Sequence, residues 1–246
     1  MELYFKSQNN LNGGYTMSEN KVFAICPYTP GPSVMGMCWE YDIIQKINKN
    51  EEGYFDFSKN LIDIGSEDGG YAMYCNFEQN YCFEPNKQMC CLIYTNMYLN
   101  DKVDNTFVYN VFLGDNQENV VFNGFSAKDT VNYDARFRLT QPIEMRKHLL
   151  DEYNIRNVGL IKTDTEGFDY FVLKGGINTI IENDYPPILF ENWPIGYREG
   201  SDITWSKEEH DKLNSFLIKL GYDIIECWGA KDTHLAIKKE IIKLCI

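Results

Sequence analysis

The stretch Leu61-Ile62-Asp63-Ile64-Gly65-Ser66-Glu67-Asp68-Gly69-Gly70-Tyr71 constrains this chain more than any other. An apolar run with an acid near its end breaks into a glycine-punctuated turn and then continues in a helical pattern. Gly65 and Gly69 remove side chains where the backbone must turn sharply or let a ligand come close. About twenty residues on, Tyr81-Cys82-Phe83-Glu84 is a second apolar run ending in an acid, at the spacing of the next strand in a βαβ unit. An acid at that strand tip is well placed to accept hydrogen bonds from both hydroxyls of a ribose. The spacing reads as a nucleoside-type cofactor site on an open α/β sheet. The alternative is a structural strand-turn-helix whose glycines only permit tight packing.

A dinucleotide would call for G-x-G-x-x-G and a helix N-terminus free to receive a pyrophosphate. This turn lacks the close glycine pair and carries Glu67 and Asp68. Carboxylates repel a pyrophosphate. They suit a cofactor with cationic parts, such as S-adenosyl-L-methionine with its sulfonium and ammonium groups.

The chain has 246 residues and a net charge of −13, which opposes non-specific binding to nucleic acid and to anionic membrane surfaces. That length accommodates one substantial α/β core. No apolar run approaches the ~20 residues that span a bilayer, and residues Met1 to Lys6 show no signal-peptide pattern. The 8 cysteines include no C-x-x-C pair, so a reducing, cytoplasmic location is expected and structural zinc is not.

Residues 1–58 read as a polar lead-in followed by a helix around Trp39–Ile47, and residues 59–246 as one domain with an insertion or loop around 115–140. Strands are expected at Leu61–Ile64, Tyr81–Glu84, Thr106–Leu113, Val158–Ile161 and Ile188–Phe190. Between them fall helices at Gly70–Phe77, Asn86–Leu99 and Phe168–Ile181, the last interrupted by Gly175-Gly176. Pro142 suits a first helical turn, so Ile143–Tyr153 is expected as helix. Ser206 and Glu209 form a capping box for a helix ending at Gly221, and Tyr222–Ile237 closes the chain as a hairpin. This alternation implies a doubly wound, mostly parallel sheet with helices on both faces and one antiparallel strand.

The second half carries a resemblance. Asp164-Thr165-Glu166-Gly167-Phe168-Asp169, then Val172-Leu173-Lys174-Gly175-Gly176, then Pro187-Ile188-Leu189-Phe190-Glu191, resembles the FkbM-type methyltransferases. Those proteins show D-x-E-G-x-[DE], an apolar V-L-K-G-A-like run and a P-x-[ILV]-x-x-E strand. Asp63-Ile64-Gly65-Ser66 looks like their D-x-G-A, Phe83-Glu84-Pro85-Asn86 like their F-E-P, and Leu113-Gly114-Asp115 like their turn after the third strand. The resemblance implies a Rossmann-like class I methyltransferase with a seven-stranded sheet, using S-adenosyl-L-methionine to O-methylate a sugar, glycan or small metabolite. It implies cofactor contacts from Asp63, Gly65, Ser66 and Gly69 at the methionine end, Glu84 at the ribose, and Leu113 and Gly114 by the adenine; Glu67 and Pro85, next to these residues, are further cofactor candidates. The chain departs from the family at Glu67, commonly asparagine, and Ala72, commonly serine or threonine.

An alcohol is a poor nucleophile at neutral pH and benefits from a base or a metal. The carboxyl edge of such a sheet would bring together Asp164, Glu191 and His234, the candidates for proton acceptance. Glu166, Asn192, Trp193 and Tyr197 are candidates for holding the acceptor. Asp164 and Glu191 could share a divalent metal, since hard cations favour carboxylate oxygens, though a third ligand is not apparent. The partner expected is a small-molecule or glycan acceptor rather than nucleic acid or membrane. An RNA ribose methyltransferase and a non-catalytic, methyltransferase-like binding module are the alternatives.

Overall fold

A computed structural model describes residues 14–18, 21–25, 40–122, 143–192, 207–228 and 232–238. A hairpin of β1 (Gly14–Ser18) and β2 (Lys21–Ile25) precedes helix α1 (Tyr41–Lys49), whose Ile43, Ile44 and Ile47 are buried. The alternation then runs β3 (Asn60–Ile64), α2 (Gly70–Tyr74), β4 (Asn80–Phe83), α3 (Lys87–Leu99) and β5 (Thr106–Tyr109). Three short strands follow, β6 (Phe112–Leu113), β7 (Asn119–Phe122) and β8 (Ile143–His148). The chain re-enters the core as β9 (Val158–Thr163), α4 (Asp169–Gly175), α5 (Ile177–Glu182) and β10 (Ile188–Glu191). It ends in α6 (Lys207–Lys219), β11 (Tyr222–Glu226) and β12 (Thr233–Lys238).

Seven strands make the main sheet in the order β11-β12-β10-β9-β3-β4-β5, with β12 antiparallel to both of its neighbours and the other pairings parallel. This is the α/β, doubly wound, mostly parallel sheet that strand-helix alternation implies. Successive residues face opposite sides. Leu61 packs with Ile44, Ile93 and Met97 under α1 and α3, while Ile62 packs with Leu173, Ile180 and Leu217 under α4 to α6. Both faces are covered, so β3 and β9 are buried along their whole length. The chain winds outward from β3 through β4 to β5, then returns to β9 on the other side of β3. The switch point lies between those two strands, where an open sheet leaves a crevice at its carboxyl edge.

Two glycines fix close backbone approaches, one of them at that edge. Gly65 has φ +69°, and a Cβ there would lie 1.8 Å from the Asp164 carbonyl oxygen. A Cβ on Gly175 would lie 1.9 Å from the Gly114 carbonyl oxygen, which is where the Gly175-Gly176 doublet separates α4 from α5.

The expected helix over Ile143–Tyr153 is instead strand β8 followed by a short 3-10 turn at Leu150–Tyr153. Strand β8 pairs antiparallel with β7 and parallel with β6, a side sheet next to the carboxyl edge. Its pairing satisfies the backbone through residues more than twenty positions away, a signal absent from local spacing. The expected third strand Thr106–Leu113 is likewise split into β5 and β6. Most of the expected insertion, and Ser206 of the capping box, lie outside the described residues. No described helix is long and apolar enough to cross a membrane.

Gly65→Ala and Gly175→Ala should each lower unfolding free energy by about 3 kcal/mol or more, because backbone must move. Gly53 has φ +73° but open space within 4 Å of where a Cβ would stand, so Gly53→Ala should cost only about 1 kcal/mol. Urea denaturation of the three variants checks the ranking.

Candidate functional site

At the tip of β3 the chain turns through three left-handed residues, Gly65, Glu67 and Gly69. Ser66 Oγ donates to the Asp63 carbonyl at 2.6 Å, and Asn96 Nδ2 donates to the Asp68 carbonyl at 2.8 Å, so the turn is tied at both ends. Glu84, one residue past β4, closes it from the side. Its Oε2 accepts from the Glu67 N–H at 3.2 Å and its Oε1 from the Asn86 N–H at 2.8 Å. A carboxylate oxygen has two acceptor positions, so each keeps one for a ligand.

Beneath the turn lies a buried charge cluster. Lys162 on β9 stands beside Asp63 on β3 in the parallel register. Its Nζ is 3.5 Å from Asp63 Oδ1 and 3.9 Å from Asp164 Oδ2, and donates to the Gly65 carbonyl at 2.9 Å. Burial opposes the charge on Lys162, but Asp63, Asp164 and Glu40 outweigh it and hold the ammonium protonated well above its ordinary range. Burial raises the Asp63 carboxyl despite Lys162. Glu84 is pushed up to about 7 by burial, which its two backbone donors only partly offset. Asp169 is pushed up to about 6 by burial and the nearby Asp164 charge, while the hydroxyls of Thr163 and Thr165 pull the other way.

Two cavities open at this edge. The first, about 190 Å³, has Gly65, Glu67 and Glu84 on one side and an apolar wall that includes Leu113, Phe112 and Phe168. Phe112 and Phe168 meet edge to face at 5.2 Å. The second, about 370 Å³, is charged: Glu40, Lys162, Glu191, Asp232 and Thr233 border it, with Trp228 on its rim. Asp164 borders both.

Of the residues expected at a cofactor, Gly65, Glu67, Glu84, Pro85 and Leu113 border the first cavity. Asp63, Ser66, Gly69 and Gly114 do not. Asp63 is held one layer deeper by Lys162, Gly69 packs against Ile93 and Met97, and Gly114 lies against Lys147. Among the acceptor-side candidates, Asp164 and Glu191 border the second cavity and Glu166 the first. Asn192 donates to Asn214 on α6 at 3.0 Å, and the ring of His234 stacks on Phe190 at 5.7 Å, with neither bordering these two cavities. Trp193 and Tyr197 lie outside the described residues. Asp164, Glu166 and Glu191 bring carboxylate oxygens within 4.8 Å of one another, so Glu166 supplies the third oxygen that a shared divalent ion would need.

Sequence reasoning missed Lys162 and Glu40. A lysine inside the apolar run Val158–Thr163 is a legible signal for a buried ion partner. Glu40 gives no such signal, since an acid before a helix is ordinary.

The family profile described as Methyltransferase FkbM domain matches residues 63–224. No curated protein matches the chain. Among solved structures, methyltransferase FkbM from Methylobacillus flagellatus KT is similar with a TM-score of 0.52 and 17% identity, over 74% of this chain and 44% of that one. This chain therefore spans less than half of that protein. A proposed S-adenosyl-L-methionine-dependent methyltransferase from Methanococcus maripaludis gives a TM-score of 0.46 and 13% identity, over 81% of this chain and 86% of the other. TYW2 of M. jannaschii, in complex with AdoMet, gives 0.41 and 13%, over 96% and 86%.

Lys162→Met should cost about 3–5 kcal/mol, because it strands a buried acid. Adding Asp63→Asn should restore part of that loss, and a double-mutant cycle by urea denaturation reads the coupling. Stability should also fall with rising pH. Glu84 and Asp169 release their protons near ordinary values of 4.5 and 3.8 when unfolded, but only at about 7 and about 6 when folded. Their contribution is complete below those unfolded values and is lost as pH rises through the folded ones. Denaturation midpoints from about pH 5 to pH 8 should decline, and less steeply in Glu84→Gln.

Proposed function

The chain belongs to the FkbM methyltransferase family, and on that premise we propose that it is an S-adenosyl-L-methionine-dependent O-methyltransferase acting on a hydroxyl of a sugar, glycan or small metabolite. One observation carries the reading: a cavity with an acidic turn facing an apolar wall and a second, charged cavity meet at Asp164. When bound, the cofactor supplies a methyl group made electrophilic by a sulfonium.

The first cavity fits that group. Glu84 offers its remaining acceptor positions to a ribose diol, Phe112, Phe168 and Leu113 offer apolar surface to a flat base, and Gly65 lets the turn that borders the cavity pack against the Asp164 carbonyl. Glu67, on the rim of the same cavity, would face cationic parts of the ligand. The second cavity, lined by carboxylates, suits a neutral or cationic hydroxyl compound and disfavours a phosphate or a nucleic-acid backbone. That lining and the net charge of −13 count against the RNA alternative. The role of these residues is chiefly to hold the acceptor oxygen in line with the methyl, which supplies much of the rate in such a displacement. The cysteines Cys75, Cys82, Cys90, Cys91 and Cys227 are all free, which supports a cytoplasmic setting.

Titration calorimetry should show binding of S-adenosyl-L-methionine and of S-adenosyl-L-homocysteine. Glu84→Ala should weaken both by about tenfold or more, since hydrogen bonds to a charged group contribute ~1.5–3 kcal/mol. Asp164→Ala should weaken them less. No heat with the wild type would overturn the cofactor reading. Labelled methyl donor with a panel of methyl hexopyranosides and small polyols, alongside RNA, then tests the acceptor. Incorporation into RNA alone would overturn the sugar or metabolite reading.

A further inference from the structure

Glu40 is the residue at this edge that neither the turn nor the strand tips account for. It is the N-cap of α1, its carbonyl accepting from the Ile44 N–H at 3.0 Å, and α1 is anchored by Ile43, Ile44 and Ile47 in the core under the sheet. The side chain is thus delivered on a rigid element to the wall of the charged cavity, where Thr233 Oγ1 donates to its Oε1 at 3.4 Å. At 3.4 Å this contact is longer than an ordinary O–H···O bond, and the same hydroxyl lies 3.5 Å from Asp232 Oδ1, so it is a weak tether. The Tyr71 hydroxyl is the other partner, and two donors leave acceptor positions on the carboxylate open. Asp164 and Glu191 border the same cavity, but their carboxylates gather with Glu166 on the strand-tip side. Glu40 comes from the helix side.

We propose that Glu40 is the general base of the methyl transfer, accepting the proton of the acceptor hydroxyl in the charged cavity. This rests on the function proposed above. The acceptor oxygen gives its proton to a Glu40 carboxylate oxygen while its lone pair forms the new C–O bond to the methyl carbon. The old C–S bond breaks with both electrons staying on sulfur, so a neutral thioether leaves and Glu40 ends as a neutral carboxylic acid. The proton later passes to solvent through the open cavity.

The electrostatics agree with that task. Burial pushes Glu40 up to about 7, partly offset by Lys162 and the Tyr71 hydroxyl and reinforced by the charges of Asp164 and Asp63. A base with a pKa near the working pH combines a useful ionised fraction with real proton affinity. The other titratable groups facing the cavity are Asp42 and Lys46 on α1, Glu191 on β10, and Cys227 and Asp232 beside the closing hairpin. Cys227 is itself pushed up to about 12 by burial and the Glu40 charge, so it stays a neutral thiol throughout the relevant range.

The test uses the full chain, Glu40→Gln and Glu40→Asp. With whichever methyl hexopyranoside or polyol the wild type methylates best, kcat should rise with pH through about 7 and then level. Glu40→Gln should lose about 100-fold or more in kcat and lose that limb of the profile, with Glu40→Asp recovering part of both. Calorimetric affinity for S-adenosyl-L-methionine should change less than about threefold in both variants, because Glu40 does not border the first cavity. Independently of any acceptor, a carboxyl signal of carbon-13-glutamate-labelled protein, assigned by its loss in Glu40→Gln, should titrate near neutrality. A Glu40→Gln enzyme that keeps its rate and its pH limb overturns the proposal, as does a Glu40 carboxyl that titrates in the ordinary carboxylate range. A wild type that binds the donor and methylates none of the panel overturns the hydroxyl-acceptor reading instead, and the carboxyl titration still decides whether Glu40 is poised as a base.

Discussion

The buried ammonium of Lys162 is the constraint on which the carboxyl edge of this sheet depends. Asp63, Glu67, Glu84, Asp164 and Glu40 converge there from four segments of chain, and like charges at such spacing in a medium less polar than water repel strongly. One cation set beneath them, hydrogen-bonded to the Gly65 carbonyl and facing two of the acids, lets them share a small volume. Such a cluster is weak evidence for stability, since desolvation offsets much of the attraction. Its value is positional: it joins the ends of β3 and β9 across the switch point and holds the glycine turn in one shape.

From that anchor the two cavities acquire different characters. The turn, closed by the Glu84 carboxylate on two backbone N–H groups, forms the acidic side of a hollow whose other wall is the apolar surface of Phe112 and Phe168. The other side of Asp164 is bounded by helix α1, the tips of β9 and β10, and the closing hairpin, and is rich in charge. The two hollows thus offer different surroundings, and under the proposed function the donor would enter the first and the acceptor the second.

How much of this was legible in the sequence depended on the range of the interactions involved. The Asp63 to Glu84 spacing was legible because parallel neighbours joined by a short helix necessarily bring their tips side by side, and the register places Ile64 against Phe83. The Gly175-Gly176 break was legible because paired glycines interrupt a helix wherever backbone comes close. Strand β8 was misread as helix since Pro142 and the apolar spacing fit a helical start, while its true partner, β7, lies across the chain. His234 shows how one residue of phase matters: Thr233 borders the charged cavity, and its neighbour is turned onto Phe190.

The sequence by itself determined the alternation of strands and helices in the core sheet, the glycine turn, and the set of acids at strand ends, because periodicity and steric freedom act over a few residues; the side strands, paired over longer range, escaped it. Only the tertiary structure decided which acids face a cavity and which are locked below it. Asp63 was drawn down to Lys162, while Glu40 was brought to Thr233 from 193 residues away. Burial and charge pairing depend on which segments pack together, and that is a property of the folded chain.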